Sequence, residues 1–168
     1  LDLVAHSYEQ GKRILEKRGT NTLKEHGQFL TPPSVARYMA KQLGQIQSGA
    51  SLLEPAIGSG VLVCAVIERL IAEKRPLEIS IMAYETDEEL CNVSREVLKV
   101  ASKEAEKDGI KINWQVCQED FILACLPEDK QPSLFDSHES KQKAFTHIVS
   151  NPPYFKLNIE DKRVKAVY

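Results

Sequence analysis

A chain of 168 residues, 42% hydrophobic and 27% charged, is long enough for one ordinary domain with a real core. Its formal charge of −2 is not that of a self-sufficient nucleic-acid binder, since phosphate contacts supply most non-specific affinity. No apolar run approaches a membrane span, the start lacks the sections of a secretory signal, and the four cysteines (Cys64, Cys91, Cys117 and Cys125) include no CxxC pair, so buried thiols in a cytoplasmic protein are expected and neither a zinc site nor a redox dithiol is.

The chain opens on Leu1 rather than methionine, which predicts a longer parent polypeptide. Ser7 to Lys17 has helical character, with Tyr8, Ile14 and Leu15 as its inward contacts. After a polar stretch containing Gly27, a second helix is introduced by Thr31, Pro32 and Pro33. Thr31 is the expected cap, Pro32 suits the first helical position, and Val35, Tyr38, Met39, Leu43 and Ile46 recur at helical spacing. Beyond Gly49, a short strand at Ser51 to Leu53 runs into Glu54-Pro55-Ala56-Ile57-Gly58-Ser59-Gly60, then a helix with Val61, Leu62, Ala65, Val66 and Leu70 on its apolar face. A second strand, Ile79 to Tyr84, ends in Glu85. The long helix that follows, from Asp87 towards Lys107, is stopped by Gly109. A third strand at Ile112 to Cys117 leads to Asp120 and Phe121. Residues 128 to 143 turn polar and read as an exposed loop, and a fourth strand, Phe145 to Ser150, enters Asn151-Pro152-Pro153-Tyr154.

Strands and helices alternating at this length predict an open, mainly parallel α/β sheet with helices on both faces, in which ligands bind beyond the carboxyl ends of the strands. The unusual short sequences all fall at those ends. In the glycine turn, position 63 is Val63 where a dinucleotide fingerprint needs a third glycine, and no Gly-Lys-Ser/Thr follows, so neither the dinucleotide nor the Walker reading holds. Glu54 would repel phosphate but favour a ligand bearing an ammonium and a sulfonium, which points to S-adenosylmethionine. Glu85 is placed to accept from ribose hydroxyls, and Asp120 from the adenine amine with Phe121 against the ring. Each acid has a plainer reading as a helix cap or a solvated strand end.

Adenine N6 is a poor nucleophile because its lone pair is delocalised into the ring. Asn151 Oδ1 and the Pro152 carbonyl could accept its two N–H bonds, with the two prolines holding those acceptors in place and Tyr154 offering a face to a flipped base. Direct in-line transfer then needs no covalent intermediate and no metal.

With these motifs the sequence resembles the N6-adenine DNA methyltransferases of restriction-modification systems, in the group whose target-recognition domain is C-terminal. The resemblance runs from about Gly27 to Tyr154. Gly27-Gln28-Phe29-Leu30-Thr31-Pro32 is similar to the family's N-terminal cofactor motif, Glu54 to Gly60 to its glycine motif, and Asn151 to Tyr154 to its catalytic motif. It implies a Rossmann-like class I methyltransferase fold over residues 27–168, truncated after the fourth strand and preceded by a helical segment over 1–26. It implies cofactor contacts from Phe29, Thr31, Glu54, Pro55, Ala56, Gly58, Gly60, Glu85, Thr86, Asp120, Phe121, Asn151 and Pro153, and catalysis by Asn151, Pro152, Pro153 and Tyr154. The partner implied is double-stranded DNA with a flipped adenine, recognised mainly by a domain or subunit beyond this chain.

The same chemistry would suit a protein glutamine amide or an RNA guanine amine, although the Gln28 to Pro32 segment favours DNA. A non-catalytic cofactor-binding subunit is a further alternative, against which the intact catalytic motif weighs. Glu128-Asp129-Lys130 and Glu160-Asp161-Lys162 have the acid-x-Lys spacing of some nucleases but lack an upstream acidic partner on a strand. Lys156, Lys162, Arg163 and Lys165 form a basic cluster that phosphates could meet.

Overall fold

The computed structural model describes residues 1–18, 30–125, 144–152 and 158–167. In chain order these form α1 (Leu3–Arg18), α2 (Pro33–Gln42), β1 (Ala50–Glu54), α3 (Val61–Ala72), β2 (Leu77–Tyr84), α4 (Glu88–Glu106), β3 (Ile110–Cys117), α5 (Phe121–Ala124), β4 (His147–Ile148) and α6 (Lys162–Val167). The strands are all parallel, in the order β3-β2-β1-β4.

Strict alternation makes β2 a strand with one buried face: Leu77, Ile79, Ile81 and Ala83 point into the core while Glu78 and Ser80 are exposed. The pairing of Leu77 with Ile110 carries the same alternation into β3, whose Lys111, Asn113 and Gln115 are exposed beside them. The connections β1 to β2 and β2 to β3 step the same way across the sheet, so the right-handed rule for parallel crossovers puts α3 and α4 on one face. The return from β3 to β4 runs mostly through residues 126–143, outside the described residues, as does the polar loop expected at 128 to 143.

Helix α3 is apolar nearly all round, and Val61 to Ile67 are all buried, because α1, α2 and α4 pack on it as well as the sheet. Helix α4 begins at Asp87, whose Oδ1 accepts from the Leu90 N–H at 3.0 Å, and the chain turns after it at Gly109, φ +74°. The stripe of α1 that faces inward is Leu3, Val4, Ser7, Gly11 and Leu15, so Leu15 is buried as expected and two small residues sit mid-stripe. Leu3 and Val4 belong to the same core as the sheet.

The second helix differs from expectation in two ways. Pro32 is its N-cap and Pro33 its first residue, and Thr31 makes no capping bond, because its hydroxyl is engaged elsewhere. Val35 and Tyr38 are 43% and 65% exposed, and the inward stripe is Ala36 and Ala40, whose small side chains let α2 lie close on α3. Strand β4 is shorter than expected, since β1 is its one described neighbour. At its start, Thr146 and Ser51 exchange side-chain and backbone bonds, Thr146 Oγ1 accepting from Ser51 N at 3.0 Å. Of the thiols, Cys64 and Cys91 are buried whereas Cys125 is exposed.

Candidate cofactor and catalytic site

The chain adds strands outward from β1 through β2 to β3, then returns to the other side of β1 for β4. The order therefore reverses between β1 and β4, where an open α/β sheet leaves a crevice beyond its carboxyl ends. Pairing of Leu53 with Ile148 brings Glu54, at the end of β1, alongside the residues that lead to Asn151.

Glu54 is fully buried. One carboxylate oxygen accepts from the Ala56 N–H at 3.3 Å, and the other, Oε2, has no hydrogen-bond partner among the described residues. Burial pushes this carboxyl up to about 8 and the nearby charge of Glu85 adds to the effect, while the Ala56 N–H and the Ser150 hydroxyl dipole oppose it. Ser150 Oγ is likewise buried and has no hydrogen-bond partner of good geometry among the described residues, although it lies near enough to this carboxyl to favour its charged form. Buried polar groups are normally satisfied, and this pair is therefore a place where a ligand would be welcome.

The turn after Glu54 is held from the next strand. Gly58 and Gly60 have φ of +56° and +95°, a region that favours glycine, and space stands open where a Cβ on Gly58 would project. Gly58 N–H donates to Glu85 Oε2 at 2.9 Å, and Asp87 N–H to Glu85 Oε1 at 2.9 Å. Burial raises the Glu85 carboxyl too, against these two N–H groups, which favour its charged form. Glu85 thus joins the glycine turn to the start of α4. Each oxygen retains a second lone pair.

Asp120 caps α5, its Oδ1 accepting from Ile122 N at 2.9 Å and Leu123 N at 3.3 Å, while its Oδ2 lies 3.7 Å from Arg163 Nη1. The plainer reading of this acid is thus realised, whatever else it does. Phe121 stands edge-on to Tyr84, with ring centroids 5.3 Å apart. Asn151 Nδ2 donates to Thr31 Oγ1 at 3.0 Å, across 120 residues of chain. Thr86 and Pro152 are exposed, and Pro55 and Ala56 half-buried, around the same strand ends. Phe29, Pro153 and Tyr154 lie outside the described residues, as does Lys156.

In the basic cluster, Arg163 binds Asp161 through Nε and Nη2, at 2.8 and 2.6 Å, and Lys165 pairs with Glu160. Lys165 thus meets an acid of its own segment, and Arg163 meets Asp161 of that segment as well as Asp120. No cluster of His, Cys, Asp and Glu able to hold a metal occurs among the described residues, and no helix there is long and apolar enough to cross a membrane.

Sequence reasoning missed four contributors. Ser150 stands one residue before Asn151 and carried no pattern. Tyr84 was legible only as a strand end. Ser7 and Gly11 of α1 reach the glycine turn, and a glycine inside a helical stretch was the available sign of close packing.

The residues present fit a cationic, ribose-bearing cofactor: a buried carboxylate with an unsatisfied oxygen, a second carboxylate beside a glycine turn, and open space at that turn. A phosphate would find no countercharge in these two acids, and its own charge would hold their carboxyls still further from ionising.

Comparison with known proteins adds to this geometry. A family model described as N-6 DNA Methylase matches residues 1–166. The type II methyltransferase M.BsuBI of Bacillus subtilis is 34% identical over 148 residues, which cover 85% of this chain and 27% of that protein. The chain thus spans about a quarter of that relative's length. A solved structure from Listeria monocytogenes, assigned to the class I S-adenosylmethionine-dependent methyltransferases, is similar over 88% of this chain and 39% of its own, at 17% identity and a TM-score of 0.48.

Proposed function

We propose that this chain, which belongs to the N-6 DNA Methylase family, is the cofactor-binding and catalytic part of an enzyme that transfers a methyl group from S-adenosylmethionine to N6 of adenine in a specific DNA sequence. The observation that carries the reading is the juxtaposition, at one reversal of strand order, of a buried Glu54 whose Oε2 has no hydrogen-bond partner among the described residues and an Asn151 held by Thr31.

When bound, S-adenosylmethionine supplies a methyl group on a sulfonium, activated for direct displacement. Glu54 would hold the ammonium of its methionine part, ionising as the positive charge arrives. Glu85 would accept from the ribose, and Phe121 with Tyr84 would flank the adenine ring, Asp120 lying beside them. Pro55, Ala56, Gly58, Gly60 and Thr86 would line the backbone path, with Phe29 and Pro153 completing it. Asn151 and the Pro152 carbonyl would accept the N–H bonds of the target amine, drawing its lone pair out of the ring, and Tyr154 would stack on the flipped base. The proton left after transfer passes to solvent.

With a net charge of −2, the chain is not the main holder of the DNA backbone, and we assign sequence recognition to parts of a cytoplasmic protein beyond these residues. In the full-length protein, mass analysis of nucleosides from incubated DNA should detect N6-methyladenine. Asn151→Ala should lower turnover by about a hundredfold or more while leaving S-adenosylmethionine affinity nearly unchanged. Methyl groups appearing in protein or RNA but not DNA would overturn the substrate, and retained turnover in the variant would overturn the role of Asn151.

A further inference from the structure

Helix α1 precedes every motif assigned above, yet it touches the cofactor turn at its midpoint and the ribose-binding acid's neighbour at its end. Ser7 Oγ donates to the Ser59 carbonyl at 2.8 Å, both groups being buried. Gly11 packs so closely that a Cβ there would fall 2.5 Å from Ser59 Oγ and 2.7 Å from Ser59 Cβ. Arg18 grips Asp87 with both terminal nitrogens, at 2.5 and 2.9 Å, and also meets Glu89. The helix start is tied down as well, Val4 N–H donating to Glu68 Oε1 at 3.1 Å.

These contacts close a ring. From α1 it runs through Ser59 to Gly58, from the Gly58 N–H to Glu85, from Glu85 to the Asp87 N–H, and from the Asp87 carboxylate through Arg18 back to α1. We infer that α1 is a clamp which holds the glycine turn and Glu85 in their binding geometry, with Ser7, Gly11 and Arg18 as positioning residues for S-adenosylmethionine; this rests on the cofactor reading above. The inward stripe of α1 switches from Leu3 and Val4 to Ser7 and Gly11 where it crosses the turn. A small hydroxyl and a bare Cα are what a helix needs to reach a backbone carbonyl at close range.

The test is calorimetric titration of the full-length protein with S-adenosylmethionine, well below its unfolding temperature, for Ser7→Ala, Gly11→Ala, Ser59→Gly and the double variant Gly11→Ala/Ser59→Gly. Gly11→Ala should weaken binding by about tenfold through overpacking. In the Ser59→Gly background the same change should cost less than about threefold, because the atoms it strikes are gone and the Leu30 methyl that remains near can swing aside. Ser7→Ala, which adds no bulk, should weaken binding about fivefold by freeing the Ser59 carbonyl. It should also speed amide exchange at Gly58 and Gly60 while the central strands keep their protection. Turnover at saturating cofactor should stay within about twofold of the parent in Ser7→Ala and Gly11→Ala, as a positioning role in cofactor binding requires. Absence of binding by the unaltered protein would overturn the cofactor reading and this inference with it. Binding that Ser7→Ala and Gly11→Ala leave intact would overturn this inference alone.

Discussion

Glu54 is a residue whose burial costs more than its contacts return. With its carboxyl raised from 4.5 to about 8, the folded chain keeps a proton that the unfolded chain has already released. That contribution to stability is fully present below the unfolded value and is lost as pH rises towards 8, so stability falls across this window and levels off above it. Glu54→Gln keeps the shape of the neutral acid and should flatten the slope, leaving a variant near the parent at acid pH and more stable than it at pH about 8, as thermal unfolding across pH would read. Binding of a cation beside this carboxyl favours its charged form, so S-adenosylmethionine should displace a proton near neutrality. Calorimetry in two buffers of different ionisation heat should show that release, and Glu54→Gln should abolish it. A buffer-independent heat for the parent would remove Glu54 from the cofactor's charge.

At the scale of elements, α2 is placed by two small residues and uses its entry for something other than capping. Thr31 is 7% exposed and its hydroxyl accepts from Asn151 Nδ2, so the segment leading into α2 orients the side chain that would meet the target amine. Thr31→Val preserves shape and removes the acceptor. We expect turnover at saturating cofactor to fall about tenfold, the worth of one hydrogen bond, with Thr31→Ser close to the parent. Loss of affinity with turnover retained would instead make Thr31 a contact of the cofactor's methionine part. The motifs at 27 to 32 and at 151 to 154 were each legible because their residues are contiguous, whereas the pairing of Thr31 with Asn151 is within reach of no local pattern.

At the scale of the whole molecule, β4 lies at one end of the described sheet and is held by β1 through two paired residues, with Ile148 59% exposed. An apolar edge of this kind invites pairing with another strand. In the 168-residue chain expressed by itself, Ile148→Lys should raise soluble yield and reduce self-association in sedimentation, without altering S-adenosylmethionine affinity. Unchanged self-association would place the sticky surface elsewhere, the exposed Val35 and Tyr38 of α2 being the next to test.

What the sequence by itself determined was the set of parallel strands, their helices and the short motifs at their ends. Alternation in β2, the apolar run of α3 and the glycines at 58, 60 and 109 act through backbone geometry and burial within a few residues. The family resemblance was legible for the same reason, since each of its motifs is a short contiguous run. The tertiary structure alone decided that Ser7 reaches Ser59, that Arg18 reaches Asp87 and that Thr31 reaches Asn151, over separations of 52, 69 and 120 residues. It also decided which helix stripe faces inward where alanine competes with valine and tyrosine, and that Glu54 is fully buried. Such facts depend on where the sheet brings distant segments together, and no local preference reports the depth of burial that sets the charge of a buried acid.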